Sequence, residues 1–138
     1  MNTFQEKCNA AVSICKQLLS TPKVFFREMK PSSIPEVPGV YAIFNQNTGV
    51  CLYVGRTKNL RQRLYNNHLM GPTSNARLKK YLIDDPGEEQ IVDLPSAKQY
   101  LREECYVQYL PVEDMLTRGQ IEGMLGFFLD VHYLYEEH

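Results

Sequence analysis

The stretch GVYAIFNQNTGVCLYVGR, residues 39–56, constrains the fold more tightly than any other part of the chain. Val40–Asn45 and Cys51–Arg56 are short runs rich in β-branched and aromatic residues, and they flank Gln46, Asn47, Thr48, Gly49 and Val50. Two such runs around a polar, glycine-bearing link predict a β-hairpin, with Gly49 suited to the left-handed position of a three-residue loop. Side chains alternate across a strand. An odd-length loop therefore puts Tyr41, Ile43, Cys51, Tyr53 and Gly55 on one face, and Val40, Ala42, Phe44, Leu52 and Val54 on the other. The two tyrosines look into the same space, either as ordinary strand aromatics with hydroxyls at the rim or as parts of a site.

The flanking sequence supplies helices. Phe4, Cys8, Ala11, Cys15 and Leu18 recur at helical spacing, which predicts an amphipathic helix over 4–20 that stops before Pro22. KPSSIPEVPG, residues 30–39, contains three prolines and reads as an extended lead-in to the hairpin. After the hairpin, Thr57 or Asn59 can cap a helix over 59–68 that Gly71-Pro72 closes off. Further helices are expected over 75–83, 96–104 and 113–133, an acidic turn at 84–89 and a third strand over 105–110. With 138 residues and no internal repeat, the expectation is one domain over 1–138, with an N-terminal helix and lead-in over 1–30.

Composition narrows the class. Hydrophobic residues at 43% and charged ones at 22% fit a globular protein, not a disordered or fibrous one. No apolar run approaches the roughly 20 residues that cross a bilayer, and Glu6, Lys7, Asn9 and Lys16 interrupt any signal-like core at the start, so a cytoplasmic location is expected. Cys8, Cys15, Cys51 and Cys105 form no metal-binding spacing and read as reduced structural thiols. A net charge of −1 taken alone argues against a nucleic-acid partner, but its distribution argues the other way. Arg56, Lys58, Arg61, Arg63, Arg77, Lys79 and Lys80 fall between residues 56 and 83, a stretch with no acidic residue, while all sixteen acidic residues lie elsewhere. This is either one positive surface on an acidic body or a solvated helix face.

Two further residues ask for an explanation. At 100° per residue, Arg63 shares a helix half with Leu60, Leu64 and Asn67, so it points inward, whereas Arg61 points away. An inward guanidinium must meet an anion, either a carboxylate of the core or a phosphate from outside. In the last helix Gly119, Gly123 and Gly126 make a narrow stripe that would let the helix press close to its neighbours. Glu122 lies about 60° from that stripe, half turned toward the protein. It is a surface glutamate, the ion-pair partner of Arg63, or a metal ligand.

Together these residues resemble the GIY-YIG nuclease family. Gly39-Val40-Tyr41 stands where that family has its first signature triplet, and Tyr53-Val54-Gly55 where it has the second, at the right separation. KNLRQRL, residues 58–64, is similar to the segment after the second triplet and puts Arg63 ten positions past Tyr53, in the place of the catalytic arginine. His68 falls where many members have histidine, and Glu122, followed by an apolar helix, matches the metal-binding glutamate. The resemblance covers residues 38–133. It implies an α/β domain of α+β type, a small three-stranded antiparallel sheet flanked by helices, that hydrolyses phosphodiester bonds in DNA with a divalent metal.

By the same resemblance, Glu122 would hold one Mg²⁺ or Mn²⁺ with waters completing its shell, and Arg63 would grip the phosphate. Tyr41 or Tyr53 would take the proton of the attacking water with Arg56 supplying positive charge nearby, and His68 would assist. Lys58, Arg61, Arg77, Lys79 and Lys80 are the candidate nucleic-acid contacts. The family usually has an asparagine soon after the glutamate helix; DVHYLYEEH, residues 130–138, has none, which leaves His132 or Tyr133 to stand in. No separate DNA-binding domain is expected beside such a core, so target choice would come from DNA shape, from a partner protein, or from the N-terminal helix and the basic stretch. The rival readings are a non-cleaving nucleic-acid-binding module and a protein-interaction domain on the same fold.

Overall fold

The computed structural model of the protein describes residues 2–74 and 76–133. Helix α1, Phe4–Leu19, begins where the Thr3 hydroxyl accepts the Glu6 N–H at 3.1 Å, satisfying one of the donors a helix start leaves open. The hairpin forms β2, Gly39–Asn45, and β3, Cys51–Thr57, and Gly49 in its turn takes the left-handed conformation at φ 76°. Strand β4, Cys105–Pro111, pairs antiparallel with the other side of β2. Every residue of β2 from Gly39 to Phe44 is buried, because this central strand is covered on both faces.

The sheet has four strands, not the three expected. Strand β1, Val24–Phe25, pairs antiparallel with Val107 and Tyr106 and gives the order β1-β4-β2-β3. Two residues are too few for alternation to register in a sequence pattern; the strand forms because the outer edge of β4 offers unpaired backbone groups. The hairpin register also differs at one point. Ile43 pairs with Tyr53 but Phe44 pairs with Cys51, so Leu52 is an extra residue in a β-bulge. The bulge exchanges the expected faces of two side chains: Leu52 packs with Tyr41, Ile43 and Tyr53, and Cys51 with Val40, Ala42 and Phe44.

Helices cover both faces, giving three layers. On the Tyr41 face lie Leu60 and Leu64, with Leu78 and Leu82 of α2, Arg77–Asp84, and Leu101 of α3, Leu94–Glu104. On the opposite face Cys15 and Leu18 of α1 meet Ile121 and Leu125 of α4, Met115–Phe128. Among the described residues no helix is long and apolar enough to cross a membrane. All four cysteines are free, and burial pushes the Cys51 thiol up to about 12, which keeps it an inert part of the core.

Two helices depart from their expected form. The segment after β3 is a π-helix over Gln62–Leu69, and the Met70 N–H reaches back five residues to the Tyr65 carbonyl at 3.0 Å. The wider turn carries His68 and Leu69 inside with Leu64 and leaves Asn67 only half-buried. Helix α4 stops well short of residue 133. Asp130 adopts φ 53°, its N–H bonds the Phe127 carbonyl at 3.3 Å, and the Val131 N–H bonds the Gly126 carbonyl at 3.3 Å. That is a Schellman ending with aspartate in place of the usual glycine. The chain then turns back, and the N–H groups of His132 and Tyr133 bond the Cys51 and Leu52 carbonyls at 2.8 and 3.1 Å.

Gly39 lies between Thr57 of β3 and Pro111 of β4, where a Cβ would run into the Leu110 carbonyl oxygen and come within 2.7 Å of Leu60. A carbonyl in a paired strand cannot step aside cheaply. Gly39→Ala is therefore expected to lower the unfolding free energy by about 1–3 kcal/mol, measured by urea denaturation.

Candidate active site

The deepest part of the site is the Tyr41 hydroxyl. β2 and β3 pair Tyr41 with Gly55, and a Cβ on Gly55 would land on that hydroxyl. The ring is fully buried. Its oxygen lies 2.7 Å from His68 Nε2, and Arg63 Nε donates to it at 3.3 Å. A guanidinium can only donate, so Arg63 occupies one lone pair of the phenol oxygen; the phenolic proton can then pair with His68 Nε2 when the neutral imidazole carries its proton on Nδ1. Nδ1 has no hydrogen-bond partner among the described residues.

Burial sets both protonation states. Desolvation, and then the charges of Arg63 and Lys79, hold His68 well below the ordinary imidazole range. Desolvation also raises the Tyr41 phenol above its ordinary value, and Arg63 offsets only part of that rise. Tyr41 is thus a neutral phenol that fixes Arg63.

Above this pair opens a cavity of about 300 Å³ lined by Tyr53, Gly55, Arg56, Arg63, Arg77 and Glu122. Tyr53 arrives from β3 on the Tyr41 face, with ring centroids 6.4 Å apart, and stands edge-on to His68 at 5.3 Å. Glu122 arrives from α4, on the opposite face of the sheet. The two meet because β3 is an edge strand and Gly55 puts no side chain between them. Arg56 is seated against α4 at Gly119, where a Cβ would collide with its guanidinium. Only this glycine of the expected stripe is needed for close approach. A Cβ on Gly123 would meet nothing within 4 Å, and one on Gly126 only Val131 at 3.8 Å; both glycines border a separate cavity of about 520 Å³.

The basic residues divide into two groups. Arg56, Lys58, Arg77 and Lys80 are exposed, and Arg77, read from the sequence as a nucleic-acid contact, stands in the cavity itself. Its position at the start of α2 carries no sequence signal that separates wall from periphery. Two others depart from the expected contact surface. Lys79 is buried, and its Nζ donates to the Asn67 carbonyl at 2.8 Å and to the Gly71 carbonyl, closing the end of the π-helix. Arg61 donates Nε to the Ile34 carbonyl at 2.9 Å and pairs with Glu36 at 3.4 Å, tying down the lead-in. Neither His132 nor Tyr133 is among the described residues lining the cavity; the Tyr133 hydroxyl donates to Asp85 at 2.7 Å, with His132 3.8 Å from the same carboxylate oxygen.

Three guanidiniums around one carboxylate make a site that favours an anion while offering a hard cation a single protein ligand. Among the described residues no group of three or more histidines, cysteines or carboxylates could cage a metal. Glu122 fits a divalent cation that keeps most of its waters, and does not fit a closed structural metal.

The fold and this cavity define a small α/β domain with a phenol–guanidinium–carboxylate site at one sheet edge. Residues 37–94 match the family model of the GIY-YIG catalytic domain; Glu122 and α4 lie beyond the matched segment. UvrABC system protein C of Frankia casuarinae is 61% identical over 36 residues, which is 26% of this chain and 5% of that protein. The same protein of Prosthecochloris aestuarii is 40% identical over 52 residues, 38% of this chain and 8% of its own. The chain thus spans only a small part of these curated relatives. Two point mutants of the GIY-YIG N-terminal endonuclease domain of UvrC from Thermotoga maritima, each bound to its catalytic divalent cation, align at 19% and 20% identity with a TM-score of 0.41, over 75% of this chain and 88% of theirs.

His68 binds a proton more weakly in the folded protein than in the unfolded chain, so acid favours unfolding. Its contribution is complete above an ordinary imidazole value of about 6.5 and is lost as pH falls below it. The unfolding free energy is expected to drop by about 1–2 kcal/mol between about pH 7 and about pH 5, with a shallower drop in His68→Gln, both read from urea titrations.

Proposed function

We propose that this chain is a divalent-metal-dependent endonuclease of GIY-YIG type that hydrolyses phosphodiester bonds in DNA. The observation that carries the reading is the meeting of Glu122 with Tyr53, Arg56, Arg63 and Arg77 at one cavity, although they come from opposite faces of the sheet. A phosphate entering there meets donors on several sides, and planar guanidiniums match its oxygens in pairs. Arg63 holds the scissile phosphate, and its Nε bond to Tyr41 keeps the guanidinium from swinging with its ligand.

Glu122 would hold Mg²⁺ or Mn²⁺, which supplies positive charge at the attacked phosphate when bound. Of the two phenols, Tyr53, acting as a phenolate that the surrounding guanidiniums favour, is assigned the proton of the attacking water. It lines the cavity, whereas Tyr41 is buried beneath Gly55 with its oxygen occupied by Arg63 and His68. Tyr41 and His68 are positioning residues. Arg56 and Arg77 offset the negative charge that gathers in the transition state. DNA is the expected partner, and a second protein supplies target choice, in keeping with relatives that are components of a multi-protein system.

Supercoiled plasmid incubated with the chain and Mg²⁺ or Mn²⁺ is expected to be nicked. Glu122→Gln and Arg63→Ala should each slow nicking by about 10²–10³-fold. Plasmid left intact by the unsubstituted chain in both metals, yet retarded on a gel, would replace this reading with a non-cleaving nucleic-acid-binding module.

A further inference from the structure

Beside the catalytic cavity, and sharing Arg56 with it, lies a second cavity of about 600 Å³. Arg56 and Lys58 line one side from the end of β3 and the turn after it, and Met115 and Leu116 line the other from the first turn of α4. Both apolar side chains are 70% exposed. They are also rigidly mounted. The Asp114 carboxylate accepts the Thr117 N–H at 2.8 Å and the Thr117 hydroxyl at 2.7 Å. Buried Arg118 donates to the Val112 and Glu113 carbonyls at 3.1 and 2.8 Å, bracing the connection into the helix. Gly119 lets the Arg56 guanidinium lie against the same helix, so one cation stands between the two cavities.

We infer that this second cavity receives the nucleotide next to the scissile phosphate, with its phosphate at Arg56 and Lys58 and its base against Met115 and Leu116. The inference rests on the nuclease reading. Charge complementarity selects the occupant: the lining contains cations and no carboxylate, and it is apolar where the cations end. An apolar segment of a protein partner would cover Met115 and Leu116 but leave Arg56 and Lys58 without an anion. The shared Arg56 makes the cavity continuous with the place assigned to the cut phosphate. A base reaches Met115 and Leu116 only when it leaves its stack, and the cost of leaving is least where the base is already unpaired. The favoured substrate is therefore DNA with an unpaired nucleotide at the cut.

The test compares cleavage of a perfect duplex with that of the same duplex carrying a short bubble, together with the emission of 2-aminopurine placed beside the cut on binding to Glu122→Gln. The unsubstituted chain is expected to cut the bubble roughly tenfold faster, the Met115→Ser/Leu116→Ser variant to bring the ratio close to one, and 2-aminopurine emission to change only while both apolar residues are present. Equal rates on both substrates, a preference that survives the double substitution, or unchanged emission would overturn the subsite and leave the nuclease reading standing. If the unsubstituted chain cuts neither substrate, the nuclease reading falls and the subsite falls with it. Emission is read without the double substitution as well, so a folding defect in that variant cannot mask the result.

Discussion

The Tyr41 hydroxyl is the point on which the site depends. It hydrogen-bonds His68 and accepts from Arg63, with no room left for solvent. Each neighbour is constrained in turn. Gly55 must be glycine because the hydroxyl lies where its Cβ would be. His68 is held neutral by burial and by the charges of Arg63 and Lys79. Arg63 is thereby anchored at one nitrogen while it lines the cavity above, which preorganises a cation that would otherwise lose side-chain freedom on binding.

The second constraint is topological. Tyr53 and Arg63 belong to one face of the sheet and Glu122 to the other, and a central strand would keep them apart by the thickness of the sheet. They meet because β3 is at the edge and carries glycine at the crossing point. The same edge carries the return of the chain after α4, where His132 and Tyr133 pair with the bulged end of β3. Pairing there protects backbone groups that an open edge would expose to other chains. Both ends of α4 are fixed: the Asp114 cap and Arg118 hold its start, and the Asp130 turn holds its finish.

The basic segment performs two different tasks. Arg61, half-buried, and Lys79, buried, satisfy carbonyls and so lock the lead-in and the π-helix in place. Arg56, Lys58, Arg77 and Lys80 remain at the surface. The positive field is smaller than a count of charges suggests, but it is concentrated at the two cavities that share Arg56.

Local regularities were legible in the chain. The hairpin, the helices, the left-handed turn at Gly49 and the pairing of Tyr41 and Tyr53 on one face follow from alternation, helical spacing and turn chemistry, which act over a few residues. What escaped depends on distant partners. β1 exists only because β4 has an open edge, and the bulge at Leu52 and the π-turn before Met70 are settled by how side chains pack rather than by propensity. Arg61, Arg77 and Lys79 are equally basic in a sequence, and only packing sends one into the cavity and two onto carbonyls. The chain by itself determined which chemical groups are present and which of them share a strand or a helix face. The tertiary structure alone decided that a carboxylate from one side of the sheet reaches the phenol and guanidiniums of the other, because that meeting depends on which strand lies at the edge, a property of the whole sheet and of no segment within it.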